Sequence, residues 1–313
     1  MNARIASAPI SWGVIEVPDW GLQLDRERVL SEMVGLGIEA TEFGPEGFLP
    51  DAPAERAGAL AAAGLRAVGG FFPVVLHRSA EPGSDEDPLP AIERELEAYV
   101  AAGAGTMVLS AVTGENGYDG AAELSEAEWR ALLENLDRAL DAAARVGVVA
   151  TLHPHLGTVV ETPEAVARVV EGSRIGLCLD TGHYTLGGGD PVAFVRQHAD
   201  RIVHAHLKDV SLDVAARVRA GEIDYREGVR RGMYQAPGAG DARIGEIVEA
   251  LREAGYDGWY VLEQDTVVEN EDDAARALDN ARRSVAFIRA AVGAGVGSTA
   301  AVGAGAGSKA VAV

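Results

Sequence analysis

Eight short apolar runs alternate with amphipathic stretches along this chain, and that alternation restricts its fold more than any single motif does. The runs are Arg4 to Ile10, Gly37 to Phe43, Leu65 to Phe72, Thr106 to Ser110, Val148 to Leu152, Ile175 to Asp180, Ile202 to Leu207 and Gly258 to Glu263. Each has the length and composition of a buried strand. Between them, Ile92 to Ala102, Glu126 to Arg145, Pro163 to Val170 and Ala242 to Ala254 carry apolar residues at helical spacing. Thr162 followed by Pro163 reads as a helix start. Gly64, Gly103, Gly147 and Gly255 close helical patterns shortly before the next run, where a C-terminal cap belongs. An open doubly wound sheet would alternate in the same way. The count of eight, and the lack of Gly-x-Gly-x-x-Gly after the first run, favour one α/β domain, a (β/α)8 TIM barrel over residues 1–290. From residue 291 to 313 the chain is nearly all Ala, Gly, Val and Ser, a composition with little to pack, and disorder is expected there.

With 48% hydrophobic residues the chain can fill a large core. A net charge of −21 argues against nucleic acid as a partner, since a phosphate backbone needs a basic surface. No run approaches the length of a membrane span, and Met1 to Ile5 lack the apolar stretch of a signal peptide. One cysteine, Cys178, excludes an internal disulfide, so the expected location is the cytoplasm. No clear seam marks an oligomer interface; a homodimer is compatible with the sequence.

Chemistry is concentrated at the ends of the apolar runs. Four of the seven histidines form two His-x-His pairs, His153/His155 and His204/His206. Side chains two apart on a strand point the same way, so each pair aims two imidazoles at one side of a sheet. Asp180 ends the sixth run, with His183 three residues on, and Glu263 ends the eighth. Barrel active sites lie at such C-terminal strand ends. Imidazoles and carboxylates gathered there suit a divalent ion such as Mn²⁺, Co²⁺, Fe²⁺ or Zn²⁺, and burying them without a ligand would leave costly unpaired groups. Other strand-end residues are Trp12 and Glu16, Glu42, His77, Thr113 and Glu115. His77 and His198 read as ordinary core or surface residues, and Cys178 as core. Asp180-Thr-Gly-His183 also fits a simple Asp-turn. Gly187-Gly188-Gly189 precedes Asp190-Pro191 and reads as turn geometry. The long segment Ser211 to Gly240 is either a lid over the C-terminal face or a surface insertion.

Ile-Gly-Leu-Cys-Leu-Asp-Thr-Gly-His183, His204-Ala-His-Leu-Lys-Asp-Val and Tyr256-Asp-Gly-Trp-Tyr-Val-Leu-Glu resemble the sugar phosphate isomerase/epimerase group of xylose isomerase-like barrels. The resemblance covers nearly the whole chain before the tail. Ala8-Pro-Ile-Ser-Trp-Gly, His153-Pro-His-Leu-Gly-Thr and Tyr234-x-x-Pro-Gly-x-Gly are most similar to the inosose dehydratase branch. The resemblance implies a metal held by His153, Asp180, His206 and Glu263, Mn²⁺ or Co²⁺ before Zn²⁺, Fe²⁺ or Mg²⁺. It places a histidine where relatives more often carry Glu, and His153 and His155 compete for that place. It implies a polyol or keto-sugar substrate, with His183 contacting substrate or metal-bound water and Trp12, Glu42 and Lys208 lining the sugar site. The reaction expected of that branch is loss of water from 2-keto-myo-inositol by β-elimination. His155 or His183 is then the expected base, with Glu42 a competitor, and Lys208 stabilises the departing oxygen or the enolate. A ketose epimerase or isomerase would use the same apparatus, and a barrel that binds sugar or metal without turnover is the alternative outside enzymes.

Overall fold

In the computed structural model, which describes residues 4–114 and 123–293, the eight runs are the staves of a closed parallel barrel. The strands are β1 (Arg4–Ser7), β2 (Ala40–Thr41), β3 (Arg66–Ala67), β4 (Gly69–Val74), β5 (Thr106–Ala111), β6 (Val149–Leu152), β7 (Gly176–Asp180), β8 (Ile202–Leu207), β9 (Asp209–Val210), β10 (Tyr234–Gln235) and β11 (Trp259–Leu262). Hydrogen-bonded order runs β3-β2-β1-β11-β8-β7-β6-β5-β4, parallel throughout, so its two ends are β3 and β4. Only Val68 separates those two. Its N–H donates to Thr41 O on β2 (2.9 Å), and its carbonyl accepts from Thr106 on β5 (3.1 Å). The third run therefore changes partners at one residue, and the sheet closes without an edge. Gly69 is required at this seam, because a Cβ there would lie 1.7 Å from Thr106 O.

Around the barrel lie α1 (Arg26–Gly35), α2 (Pro53–Ala63), α3 (Leu89–Ala102), α4 (Glu126–Arg145), α5 (Pro163–Gly172), α6 (Thr181–Leu186), α7 (Pro191–His198), α8 (Leu212–Arg219), α9 (Tyr225–Arg230), α10 (Ile244–Glu253) and α11 (Glu271–Gly293). Their ends follow local chemistry. Ser125 and Glu128 form a reciprocal capping box on α4, and Thr162 caps α5 ahead of Pro163. The buried face of α4, with Trp129, Leu132, Leu136, Ala139 and Ala143, repeats at helical spacing and packs on the sheet. Gly64 and Gly103 cap α2 and α3 in the left-handed conformation.

Two runs are shorter as strands than their patterns predict. Pro9 ends the first in a turn of 3₁₀ helix, Pro9–Trp12. Gly37, at φ 71°, still belongs to the turn closing α1, leaving Ala40–Thr41 to pair. Glu115 and most of the Ala/Gly-rich tail lie outside the described residues; α11 runs to Gly293. Among the described residues no helix is long and apolar enough to cross a membrane.

The barrel interior is asymmetric. Ala6, Ala8, Ala40, Val68 and Val261 form a small cluster of their own, apart from the main core between sheet and helices. Small side chains on β1 and β2 leave room, and buried polar residues on or directly after β6, β7, β8 and β11 occupy the other half. Ser211 to Gly240 is an ordered excursion bounded by the antiparallel pair β9–β10, with α8 and α9 between. Asp209 anchors its return: Oδ2 accepts from Gly238 N (2.8 Å) and Gly240 N (3.0 Å), and Oδ1 from Ala242 N (2.9 Å).

Candidate metal and acid–base site

Period two along the strands brings the polar residues together. Asp180 ends β7, and His206 sits beside it on β8 in register. Glu263 follows β11 directly, and His153 follows β6. Asp180, His206 and Glu263 offer ligand atoms within 4.8 Å of one another. His206 Nδ1 lies 2.5 Å from Glu263 Oε2 and 3.8 Å from Asp180 Oδ2, yet it makes no hydrogen bond. These atoms converge on one small volume, as ligands do, and within it His206 and Glu263 also stand as an ion pair. His153 Nε2 stands 3.4 Å from Asp180 Oδ2. Four buried carboxyl groups, Glu42, Asp180, Glu263 and Asp265, face Lys208 and His206, an excess of acceptors that a divalent cation would complete. The donor set therefore fits a divalent ion. Oxygen donors favour this position over the neighbouring Glu42–His204–His206 and His153–Cys178–His206 groups.

Asp180 does two jobs. Oδ2 faces the site while Oδ1 accepts from His183 N at 2.7 Å, capping α6. The Asp-turn and the site residue are thus the same group. Burial raises this carboxyl, but Lys208 and the contact with His153 lower it further. For Glu263, burial is likewise outweighed by His206 and Lys208, which hold it well below the carboxylate range.

Glu42 reaches across the small-residue half of the barrel, and its Oε1 accepts from His204 Nε2 (2.9 Å) and His206 Nε2 (3.0 Å). Burial raises its pKa, but the charge of His206 and both hydrogen bonds outweigh this and hold it at about 2. His206 is raised well above an ordinary imidazole: burial opposes its charge, and Cys178, Glu263 and Glu42 outweigh burial.

Lys208, two residues beyond His206, is buried, with its ammonium hydrogen-bonded to one imidazole and ion-paired to two carboxyl groups. Asp265 Oδ1 lies at 2.7 Å, Glu263 Oε1 at 2.8 Å and His183 Nε2 at 3.1 Å. Burial disfavours its charge, but Asp265, Glu263 and Asp180 raise its pKa well above the usual value. An ammonium only donates, so His183 Nε2 must accept, and the His183 proton sits on Nδ1. Leu156 N–H approaches that Nδ1 at 3.5 Å, the longer and uncharged contact, and does not reverse the assignment. Burial, then His155 and Lys208, push His183 well below the ordinary range. His155 packs beside it with ring centroids 3.8 Å apart, and its Nδ1–H donates to Leu156 O at 2.7 Å. Burial, then His153 and Lys208, bring His155 to about 3.

The remaining expected residues are placed as follows. The Trp12 ring is fully buried and its indole N–H donates to Glu32 of α1 at 2.8 Å. Glu16 is exposed at its surface, yet partial burial, then the charges of Asp265 and Glu263, raise its carboxyl. His77 is buried in the connection after β4, and His198 is half-buried against Phe194. Cys178 is core, its thiol pushed by burial to about 12. Gly187 closes α6 and Gly188 turns at φ 95°, a turn rather than a phosphate loop.

Three residues to which the sequence assigns no role in the site, Asp265, Tyr225 and Tyr234, also belong to this cluster. Asp265 lies two past Glu263 and shares its parity, a signal the sequence carries. Tyr225 OH donates to Asp265 Oδ2 (3.2 Å) and meets Tyr234 OH (2.9 Å), whose ring lies 5.0 Å from Lys208 Nζ. Tyr234 heads the Tyr-x-x-Pro-Gly-x-Gly segment, whereas nothing in the local sequence marks Tyr225.

The same arrangement of strands is found in known proteins. A model of the xylose isomerase-like TIM barrel family matches residues 30–290. The rhizopine catabolism protein MocC of Rhizobium meliloti is 35% identical, over 84% of this chain and 82% of its own length. Inosose dehydratase of Geobacillus kaustophilus is 34% identical, over 83% and 86%. The solved structure of IOLI protein with a binding zinc atom superposes with a TM-score of 0.66 at 17% identity, over 92% of this chain and 98% of that one. Sequence likeness that spans nearly every stave of the barrel, and a matching fold, make this chain a member of the xylose isomerase-like TIM barrel family.

Proposed function

We propose that this protein is a metal-dependent hydro-lyase that removes water from a keto-inositol, 2-keto-myo-inositol, by β-elimination. The observation that carries the reading is the Lys208–His183 pair at 3.1 Å beside the converging Asp180, His206 and Glu263. That is an acid next to a metal position. Relatives named inosose dehydratase support the substrate class, and the zinc-bearing neighbour supports a divalent ion. His153, Asp180, His206 and Glu263 would hold it, and a mixed imidazole–carboxylate set suits Mn²⁺ or Co²⁺. When bound, the ion supplies Lewis acidity toward the ketone oxygen.

The chain's own groups then divide the proton work. We assign removal of the α-proton to His155, whose Nδ1–H is held by Leu156 O so that its basic nitrogen is Nε2; His183 Nε2 accepts from Lys208. The C–H electron pair passes into an enolate. The β-carbon–oxygen bond breaks with a proton from Lys208, and the hydroxyl leaves as water. The proton taken up by His155 returns the site to its resting state when it is passed back to Lys208. Glu42 is committed to the hydrogen bonds it accepts from His204 and His206, and acts by orienting His206. The substrate is a small polyol-like ketone, and the single buried Cys178 accords with a cytoplasmic setting.

The test is incubation of Mn²⁺- or Co²⁺-loaded protein with 2-keto-myo-inositol, following the absorbance of the dione product. Product formation that stops on chelation is the expected result. Exchange of a ketose C3 proton with solvent, without dione, would replace dehydratase by epimerase.

A further inference from the structure

The excursion between β9 and β10 sends two hydroxyls toward a buried lysine, and neither touches a ligand of the metal position at hydrogen-bonding distance in the contacts described above. Tyr225 comes from the first turn of α9 and Tyr234 from β10. Both ends of the excursion are pinned: Val210 pairs with Tyr234 and Asp209 with Gln235, and Gln264 Nε2 donates to Tyr234 O at 3.3 Å. On the α9 side, Arg226 Nε donates to Trp20 O at 2.8 Å. A merely tolerated insertion would not need anchors on β9, on the segment after β11 and on the β1–α1 connection. Tyr225 OH sits between Tyr234 OH and Asp265 Oδ2, while Asp265 Oδ1 contacts Lys208 Nζ at 2.7 Å. One chain of contacts thus runs from the excursion to the ammonium, and from the ammonium to His183 Nε2.

We propose that Tyr225 and Asp265 are positioning residues: together with Tyr234 they hold the Lys208 ammonium against His183 Nε2, so that the excursion sets where the proton donor stands. Asp265 Oδ2 accepts from Tyr225, and this turns Oδ1 toward the Lys208 ammonium as an ion-pair partner at 2.7 Å. Without the hydroxyl the carboxyl can rotate, and the ammonium can settle between Glu263 and Asp180, which is 3.6 Å away, and leave His183. His183 would then lose the partner that keeps its proton on Nδ1. A displacement of about 1 Å at a proton donor is enough to cost on the order of 10²-fold in rate.

The inference rests on the dehydratase reading for its kinetic arm only. Tyr225→Phe, which removes one oxygen and leaves the ring, should lower kcat by about 10–100-fold with KM and metal content unchanged. In Zn²⁺-loaded, ¹⁵N-labelled protein, the His183 ring should be the Nδ1–H tautomer in the wild type and a mixture in Tyr225→Phe. Asp265→Asn should give the same two changes, and stands in if Tyr225→Phe does not fold. Unchanged His183 signals in a folded variant would overturn the proposal, whatever the kinetics. So would a rise in KM at constant kcat, which would make the tyrosines substrate contacts only. If the wild type forms no dione, the dehydratase reading fails while the tautomer measurement still decides this one.

Discussion

Asp180 shows how much a single side chain can settle here. One oxygen caps α6 and so fixes where His183 begins its helix; the other faces His153, His206 and Lys208. The same economy separates the first His-x-His pair. His153 turns Nε2 toward Asp180, whereas His155 commits Nδ1 to the Leu156 carbonyl and packs against His183. His153→Ala should therefore lower metal affinity by about 10–100-fold, read as metal retained after dialysis. His155→Ala should keep the metal and lose turnover. Equal metal loss in both variants would undo the distinction. At this scale the sequence was a good guide to parity and a poor one to direction. It put Glu42, His204 and His206 at strand ends, but that Glu42 accepts from both imidazoles depends on contacts between residues 162 and 164 positions apart in the chain.

Among elements, the β9–β10 excursion departs most from what local pattern conveys. Its length and charge suit a lid or an idle insertion equally; what decides is Asp209, a buried carboxyl that accepts from the backbone of Val210, Gly238, Gly240 and Ala242. This explains the Pro-Gly-x-Gly segment structurally. A Cβ at Gly240 would lie 2.6 Å from Asp209 Oδ1, and Gly238 takes φ 91°. Asp209→Ala leaves several buried N–H groups without an acceptor and should cost about 3 kcal/mol, measured by urea denaturation, and it should lower turnover by loosening Tyr234. A variant as stable as the wild type would mean the turn is held from elsewhere. The barrel staves, by contrast, were legible as elements because both faces of a parallel strand are buried and leave a continuous apolar run. Their ends were less so, since pairing stops where Pro9 or the turn at Gly37 intervenes.

For the whole molecule, the three site imidazoles that burial keeps neutral, His155, His183 and His204, make stability depend on acidity. His155 is held at about 3 in the fold against an ordinary value of 6.5. As pH falls below 6.5 the unfolded chain takes up a proton that the folded chain refuses, so stability drops until about pH 3. Between pH 6.5 and 5 this one group should cost at most about 2 kcal/mol. His204 and His183 shift the same way, both primarily by burial. Urea midpoints at pH 7 and pH 5 should differ less in His155→Gln than in the wild type; an equal difference would place the acid sensitivity elsewhere. What the sequence determined by itself is the barrel and the identity of its strand-end chemistry, because both follow from periodicities that act over a few residues. What only the tertiary structure decided is which nitrogen faces which carboxyl, that β3 and β4 are one stave passing between partners at Val68, and that Tyr225 and Tyr234 arrive beside Lys208. Those depend on contacts between residues far apart in the chain, whose geometry is set when the sheet closes and the excursion is pinned across its mouth.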